Sequence, residues 1–234
     1  MNDPSASVVA LQLGKALQLE PAGTGEWWDK PWQTGFYKQP QPRAWLGYEG
    51  FRGDEQADRR YHGGPDKAVC VYPHEHYHFW QSELPDLEMP TGAFGENLTT
   101  AGLLESGVCI GDVYAVGEAL VQVSQPRQPC WKLARRWQVK DLTARVERTG
   151  LTGFYFRVKR HGHVSAGDAI SLLERPFPEW TIERCNRIMH HEKSAAESAR
   201  ALAGCPDLSA SWKDSLSARG AIIVSPYRRV QPPD

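Results

Sequence analysis

Short apolar runs separated by turn-forming residues dominate the first 175 residues of this chain. Each run is four to six residues long and rich in Val, Tyr, Phe or Leu. Runs of this length between turn signals are typical of β-strands, and they predict a mainly β fold, a sandwich or barrel with long loops. The six runs are Val8–Leu13, Ala68–Tyr72, Val113–Val116, Ala119–Val123, Phe154–Val158 and Ala169–Leu173.

The pattern changes after Pro176 and Pro178, where apolar residues follow helical spacing and predict three short helices. The first helix is indicated by Ile182, Cys185, Ile188 and Met189. The second is indicated by Ala195, Ala199 and Leu202, and Gly204 should end it. The third should be capped by Ser209, carry Trp212 and Leu216 on one face, and end at Gly220. We therefore expect a β domain over residues 1–175 and a three-helix region over residues 176–234, packed on the β domain or on itself.

The segment Gly23–Gly64 is different because it has little periodicity and many Gly, Pro and charged residues. Stretches of this length without regular structure are usually binding loops or disordered segments. Four tryptophans within it argue against disorder. The sequence therefore predicts an ordered, irregular binding loop here.

The charge balance excludes several partners. Lys and Arg total 27 against 28 Asp and Glu, a formal net charge of −1, so the chain lacks the basic excess of a nucleic-acid-binding surface. No apolar run approaches the roughly 20 residues that a membrane helix needs. The first residues show no basic region ahead of an apolar one, so we expect no signal peptide, no membrane contact and a cytoplasmic protein.

The cysteines point away from a small metal-binding module. They are Cys70, Cys109, Cys130, Cys185 and Cys205. No CxxC occurs, which disfavours a zinc ribbon, a ferredoxin-type cluster and a thioredoxin-like motif. In the cytosol these residues should be free thiols, and Cys70, Cys109 and Cys185 lie in apolar contexts typical of packing.

Cys130 lies in a different context. Pro126 and Pro129 stiffen the backbone before it, and Arg127, Lys132, Arg135 and Arg136 place positive charge around it. If a helix begins just after Cys130, its N-terminus adds a further preference for the thiolate. A thiolate is a nucleophile or a soft metal ligand, so Cys130 is the main candidate for chemistry.

Two polar turns are further candidates. His62 and Lys67 flank the segment Gly63–Asp66, whose paired glycines permit backbone conformations and close ligand approach that other residues forbid. The segment Gly95–Thr100 supplies Asn and Thr side chains that bind a ligand or satisfy their own turn. Together with Cys130, these residues predict a cationic pocket that holds a phosphorylated ligand above a thiolate.

His74, Glu75 and His78 match the H-E-x-x-H pattern of zinc proteases. Pro73 suits the first position of a helix, which would place His74 in the first turn, an unusual position for such a ligand. No third ligand follows at the expected spacing. We therefore disfavour a zinc site here. Stoichiometric zinc in the purified protein, lost on His74→Ala, would be needed to support one.

The polar segments, in this order, resemble the MOSC domain family, the module found at the C-terminus of molybdenum cofactor sulfurases, and most closely its stand-alone bacterial YiiM type. The matching stretches include Thr34–Lys38, Gly53–Asp58, His62–Val69, Tyr72–Tyr77, Phe94–Thr100, Gln125–Leu133 and Arg157 with Gly167-Asp168. They cover roughly residues 34–175, and the helices after them resemble the three-helix tail of that type. The resemblance implies a MOSC-type β-barrel of the pyruvate-kinase-barrel kind.

The resemblance also implies a cofactor and a reaction. Cys130 would ligate the molybdenum of the molybdenum cofactor, a molybdopterin, and His62 would be a candidate proton donor. The implied cofactor contacts are Lys38, His62, Lys67, Tyr72, Asn97, Thr99, Gln125 and Arg127. Similar proteins reduce N-hydroxylated compounds, including hydroxylaminopurine bases. Because no flavin, haem or iron–sulfur motif is visible, electrons would come from a separate reductase.

Two other functions use the same residues. A sulfur carrier would hold a persulfide on Cys130 and pass sulfur to a metal–sulfur cofactor. A storage protein would bind molybdopterin without turnover. The sequence alone leaves both open.

Overall fold

Thirteen strands and seven α-helices occur in the computed structural model within residues 6–192 and 194–221, which are the residues that the structure describes. The strands are β1 (Ser7–Leu13), β2 (Leu17–Leu19), β3 (Trp32–Thr34), β4 (Gln39–Gln41), β5 (Arg43–Gly47), β6 (Gly50–Phe51), β7 (Val69–Pro73), β8 (Leu98–Ala101), β9 (Val113–Val116), β10 (Ala119–Pro126), β11 (Phe154–Arg160), β12 (Gly162–Ser165) and β13 (Ile170–Glu174). The helices are α1 (Arg59–His62), α2 (Glu75–Glu83), α3 (Trp131–Trp137), α4 (Leu142–Thr149), α5 (Ile182–Asn186), α6 (Ala196–Ala203) and α7 (Ala210–Ala221).

All six apolar runs form strands, and all six belong to one eight-stranded sheet. Its order is β13-β9-β10-β11-β7-β8-β1-β4, and the pairs within it are antiparallel except for parallel β7 and β8. The predicted mainly β fold is confirmed.

Backbone hydrogen bonds also join β1 to the segment that precedes β13. The backbone N–H of Val8 in β1 donates to the carbonyl of Asp168 (2.9 Å), and Gly167 N–H donates to the Val8 carbonyl (2.8 Å). These bonds join β1 to the residues that precede β13, the strand at the opposite side of the sheet.

The turn between β9 and β10 shows how tightly this sheet is built. Gly117 has φ +55°, and a Cβ placed there would lie 2.4 Å from Asp168 Oδ2 and 2.6 Å from the His163 carbonyl oxygen. Only glycine fits this two-residue hairpin.

The expectation of an irregular loop over residues 23–64 was wrong. Four short strands, β3 to β6, and helix α1 lie within it. The strand β5 pairs with β12, Trp45 opposite His163, about 120 residues away in sequence. Pairing partners so distant leave no local periodic signal, which explains the error.

The C-terminal helices pack on the sheet and share its core. One continuous cluster of buried side chains contains Val121 and Phe156 from the sheet with Leu202 and Trp212 from the helices. Helix α5 continues into a π-helical turn over Arg187–His191.

The three predicted helices are confirmed, with one error at a boundary. Gly204 ends α6, and the Ser209 hydroxyl accepts a hydrogen bond from Trp212 N–H at the start of α7. Helix α7 continues through Gly220 to Ala221, so Gly220 does not stop it.

A second apolar cluster lies beside the first. Phe94 is at its centre, with Trp80 from α2, Leu133 from α3 and Val146 from α4. It forms the base from which the polar segments project. None of the helices in the described part of the chain is both long and apolar enough to cross a membrane.

Candidate functional site

Two adjoining chambers open beside the junction of β10 and α3. The inner one, about 80 Å³, is lined by polar groups and by Phe36 and Phe94. The outer one, about 630 Å³, has Trp32, Tyr61 and Trp131 in its walls. Both share a wall that contains Cys130.

Cys130 holds the position that the sequence predicts. It precedes the first residue of α3 in an extended conformation, φ −111° and ψ 160°, and its side chain is half-buried, whereas the other four cysteines are buried. Lys132 and Arg127 line the inner chamber with it. Of the five free thiols, Cys130 is therefore the most accessible.

Arg127 has an unsatisfied donor. The residue is 5% exposed; its backbone N–H donates to the Gly153 carbonyl (3.0 Å), and its Nη2 donates to the Phe94 carbonyl (2.6 Å). Its Nη1 is buried with no hydrogen-bond partner among the described residues. A buried guanidinium with a free N–H is costly unless an acceptor arrives, so this atom is a candidate contact for an anion.

Gly153 makes this placement of Arg127 possible. Its φ is +69°, and a Cβ there would lie 2.2 Å from the Val71 carbonyl oxygen. Its backbone can therefore pass close to β7 and still accept from Arg127.

Lys38 is not a free cation. Its ammonium pairs with Asp54, and Asp54 also accepts from Asn97 Nδ2 (2.9 Å) and from Gly14 N–H (2.8 Å). The Asn97 amide oxygen accepts from Cys70 N–H (3.1 Å). This buried network organises one wall of the inner chamber, and sequence reasoning gave Asp54 no role although it lies in one of the matched stretches.

His62 and Lys67 both reach the shared wall of the chambers. Burial, followed by the charges of Lys132, Arg127 and Lys67, lowers the pKa of His62 from 6.5 to about 4. Lys67 donates to the Tyr61 carbonyl (2.8 Å), and burial lowers the pKa of its ammonium. His62 is therefore a neutral imidazole at pH 7 in this cavity.

Tyr72 and Thr99, two of the expected cofactor contacts, are not among the residues that line either chamber. The Tyr72 ring stacks on Phe94, with centroids 4.1 Å apart, and its hydroxyl donates to the Leu151 carbonyl. The Thr99 hydroxyl donates to the buried carboxylate of Glu96 (2.7 Å). Both support the wall from behind.

Gln125 lies in the wall of the outer chamber. Its Nε2 donates to the Pro126 carbonyl (3.1 Å), and its Oε1 accepts from the Ser211 hydroxyl (3.1 Å). Its polar atoms thus have partners within the protein.

Cys70 is a lining residue that the sequence did not reveal. Its apolar neighbours predict packing, and it is 7% exposed, yet it lies in the inner chamber with Tyr155. Burial raises the pKa of the Cys70 thiol to about 11, so it stays protonated beside Cys130.

The H-E-x-x-H residues do not assemble a zinc site. Helix α2 begins at Glu75, one residue after His74, and the Glu75 carboxylate accepts from Gly102 N–H (2.7 Å). Across residues 6–192 and 194–221, no three His, Cys, Asp or Glu side chains are grouped to hold a metal ion.

The cavity fits an anionic, sulfur-ligated cofactor. Four cationic side chains and two carboxylates line the inner chamber, and both carboxylates, Asp54 and Glu55, already pair with lysines. The excess positive charge, the free Nη1 and the accessible thiol match the phosphate and the thiophilic metal of a metallopterin.

Comparison with known proteins identifies similar sequences and domains. A model of the MOSC domain matches residues 58–171, and a model described as the YiiM-like 3-alpha helix domain matches residues 180–219. The chain is 47% identical over 217 residues to the uncharacterized protein YflK of Bacillus subtilis, covering 92% of this chain and 95% of that one.

Two further similarities concern a structure and a larger protein. The crystal structure of YiiM from Geobacillus stearothermophilus superposes with a TM-score of 0.77 and 36% identity, covering 92% of this chain and 99% of that one. A protein of Gibberella moniliformis named Reductase is 41% identical over 163 residues, which are 68% of this chain and 28% of that protein.

Proposed function

Because the chain belongs to the MOSC domain family and resembles its YiiM type, we propose that it is a molybdenum-cofactor-dependent reductase of N-hydroxylated compounds, such as hydroxylaminopurine bases. One observation carries the proposal. Arg127, whose buried Nη1 has no hydrogen-bond partner among the described residues, and the half-buried Cys130 line one cation-rich cavity. The similarity to the Gibberella protein named Reductase supports a redox reaction.

The residues divide into holding groups and supporting groups. Cys130 would be the protein ligand to molybdenum, and Arg127 and Lys67 would bind the cofactor phosphate. Asn97 and Lys38 would shape the wall through Asp54. When bound, the cofactor supplies a metal that transfers two electrons and accepts oxygen.

His62 would bind and donate a proton beside the cofactor. Its imidazole is neutral at pH 7 because its pKa is about 4 in the ligand-free cavity. A bound anion would offset the charges of Lys132, Arg127 and Lys67, so the pKa would rise and His62 could then give a proton to the leaving oxygen.

The substrate would enter through the outer chamber. The side chains of Tyr61 and Trp131 there are 57% and 54% exposed, and Trp32 lies 5.8 Å from Trp131, centroid to centroid. Such rings offer stacking surfaces to a planar substrate. Electrons would come from a separate reductase, and the five free cysteines suit the reducing cytosol.

The test is an assay of the protein purified from a host that makes molybdenum cofactor. Supplied with a chemical electron donor, the wild type should convert hydroxylaminopurine to aminopurine, and Cys130→Ala should lose at least about 100-fold in kcat, the loss expected when a metal anchor disappears. Failure of cofactor-loaded wild type to reduce any N-hydroxylated compound would refute the reductase proposal.

A sulfur carrier is the second candidate, favoured by the accessible thiol of Cys130 among cations. A sulfur-carrier function predicts a persulfide on Cys130 and transfer of the outer persulfide sulfur to an acceptor in the absence of molybdenum. Mass spectrometry of the purified protein separates the two functions.

A further inference from the structure

A short segment of the C-terminal helical region, Asp207 to Ser211, contacts β10 beside the cavity, and we call it the 207–211 segment. Asp207 accepts from Gln122 Nε2 (3.1 Å), Ser209 N–H donates to the Ser124 carbonyl (2.9 Å), and the Ser211 hydroxyl donates to Gln125 Oε1 (3.1 Å). The segment thus follows β10 towards the point where Arg127 and Cys130 enter the cavity.

The same segment also reaches the turn that carries His62 and Lys67. Asp66 Oδ2 accepts from Ala210 N–H (3.3 Å), while Asp66 Oδ1 accepts from Arg157 Nε (3.0 Å). The Asp66 carbonyl accepts from the Ser124 hydroxyl (2.5 Å). Asp66 therefore joins the turn, β10, β11 and the start of α7.

The turn and β10 bring different groups to the cavity. Lys67 follows Asp66 directly, and Arg127 lies two residues beyond Gln125. A cavity that binds an anion needs these cations at fixed separation, since a misplacement of about 1 Å weakens bidentate contacts. We propose that the 207–211 segment is a positioning element of the cofactor site, acting on Lys67 through Asp66 and on Arg127 through Gln125.

This role differs from simple stabilisation of the helical region. Helix α7 is also anchored by Arg219, which donates to the Ile188 carbonyl (2.9 Å), and neither residue lines a chamber. Loss of the Arg219 contact should destabilise the helices without moving the cavity walls. Arg219 therefore offers a control for the positioning residues Asp66 and Ser211.

The proposal rests on the proposed anion site, so the test uses inorganic phosphate as the probe and the cofactor-free chain as the protein. Phosphate affinity is measured by calorimetry, and thermal stability by circular dichroism, for wild type, Asp66→Ala/Ser211→Ala, Ser211→Ala, Ser211→Thr and Arg219→Met. We expect at least a fivefold weaker affinity in the double variant and a smaller loss in Ser211→Ala. Ser211→Thr, which keeps the hydroxyl, should bind like wild type, and Arg219→Met should lose stability but keep its affinity.

The possible results separate failure of the positioning role from failure of the anion site. Unchanged phosphate affinity in the double variant would overturn the positioning role and leave the anion site standing. A loss of phosphate affinity in Arg219→Met equal to that in the double variant would also overturn the positioning role, because affinity would then follow stability alone. Absence of phosphate binding by the wild type would count against the anion site itself, and with it against both proposals.

Discussion

Lys38 and Asp54 form an ion pair inside the inner chamber, and their side chains are only 6% and 3% exposed. Asp54 is the common acceptor for Lys38, Asn97 and Gly14 N–H. The lysine in this wall is thus neutralised by the protein, while Arg127 keeps a free donor. The pair shapes the cavity, and we propose that Arg127 provides its anion contact.

Asp54→Asn should destabilise the protein by about 3 kcal/mol, because it leaves the buried ammonium of Lys38 without its counter-charge. Urea unfolding of the cofactor-free chain measures this change. The matched control is Glu55→Gln, next in sequence, whose partner Lys15 is exposed; its effect should be much smaller. Equal effects of the two changes would contradict the buried pair.

Arg127→Met should abolish stabilisation by phosphate. For wild type, millimolar phosphate should raise the Tm by a few degrees relative to chloride at the same ionic strength, since a ligand that binds only the folded state stabilises it. Arg127→Lys should keep part of the rise. Arg43→Met, which removes an exposed pair with Glu118, serves as control. A full phosphate response in Arg127→Met would show that the anion binds elsewhere.

Acid should destabilise the wild type partly through His62. Its pKa of about 4 in the fold lies below the ordinary 6.5, so between these pH values the unfolded chain binds more protons and stability rises with pH. His62→Asn removes this contribution. Its unfolding free energy should fall less than that of wild type between pH 7 and pH 4.5, by about 2 kcal/mol. Parallel pH profiles for the two proteins would place the His62 pKa near its ordinary value.

Alkylation by iodoacetamide should be selective for Cys130. The other four thiols are buried, and Cys130 is half-buried; burial also raises the pKa of Cys70 to about 11, which disfavours its reactive thiolate. One thiol per folded chain should react at least about tenfold faster than the rest, and Cys130→Ser should remove this phase. A fast phase that survives the change would identify a different accessible thiol.

Local sequence patterns predict the strands well and the cavity walls in part. The run around Phe156 is apolar and bounded by turns, so its strand is evident. The side chains that line the chamber with Cys130 are harder to predict. Asp54 and Asn97 are distant in sequence, and they come together only once β1 and β8 have paired. Cys70 illustrates the limit: an apolar strand context describes its burial correctly but does not show that its thiol lines the chamber.

Tyr72 and Thr99 show a complementary limit of motif-based prediction. Both belong to polar segments that match the family, and both were expected to contact the cofactor. The structure places them behind the wall, where Tyr72 stacks on Phe94 and Thr99 bonds to Glu96. A motif identifies a segment that builds a site. The direction in which each of its side chains points depends on packing against other parts of the chain, which the motif does not describe.

We propose that Cys130 holds molybdenum in this cavity. The most direct measurement is metal and pterin analysis of wild type and Cys130→Ala, both purified folded from a host that makes molybdenum cofactor. We predict close to one molybdenum and one pterin per wild-type chain, and loss of molybdenum in the variant. Molybdenum absent from both proteins, with a persulfide on Cys130 of the wild type, would contradict the claim and favour sulfur transfer.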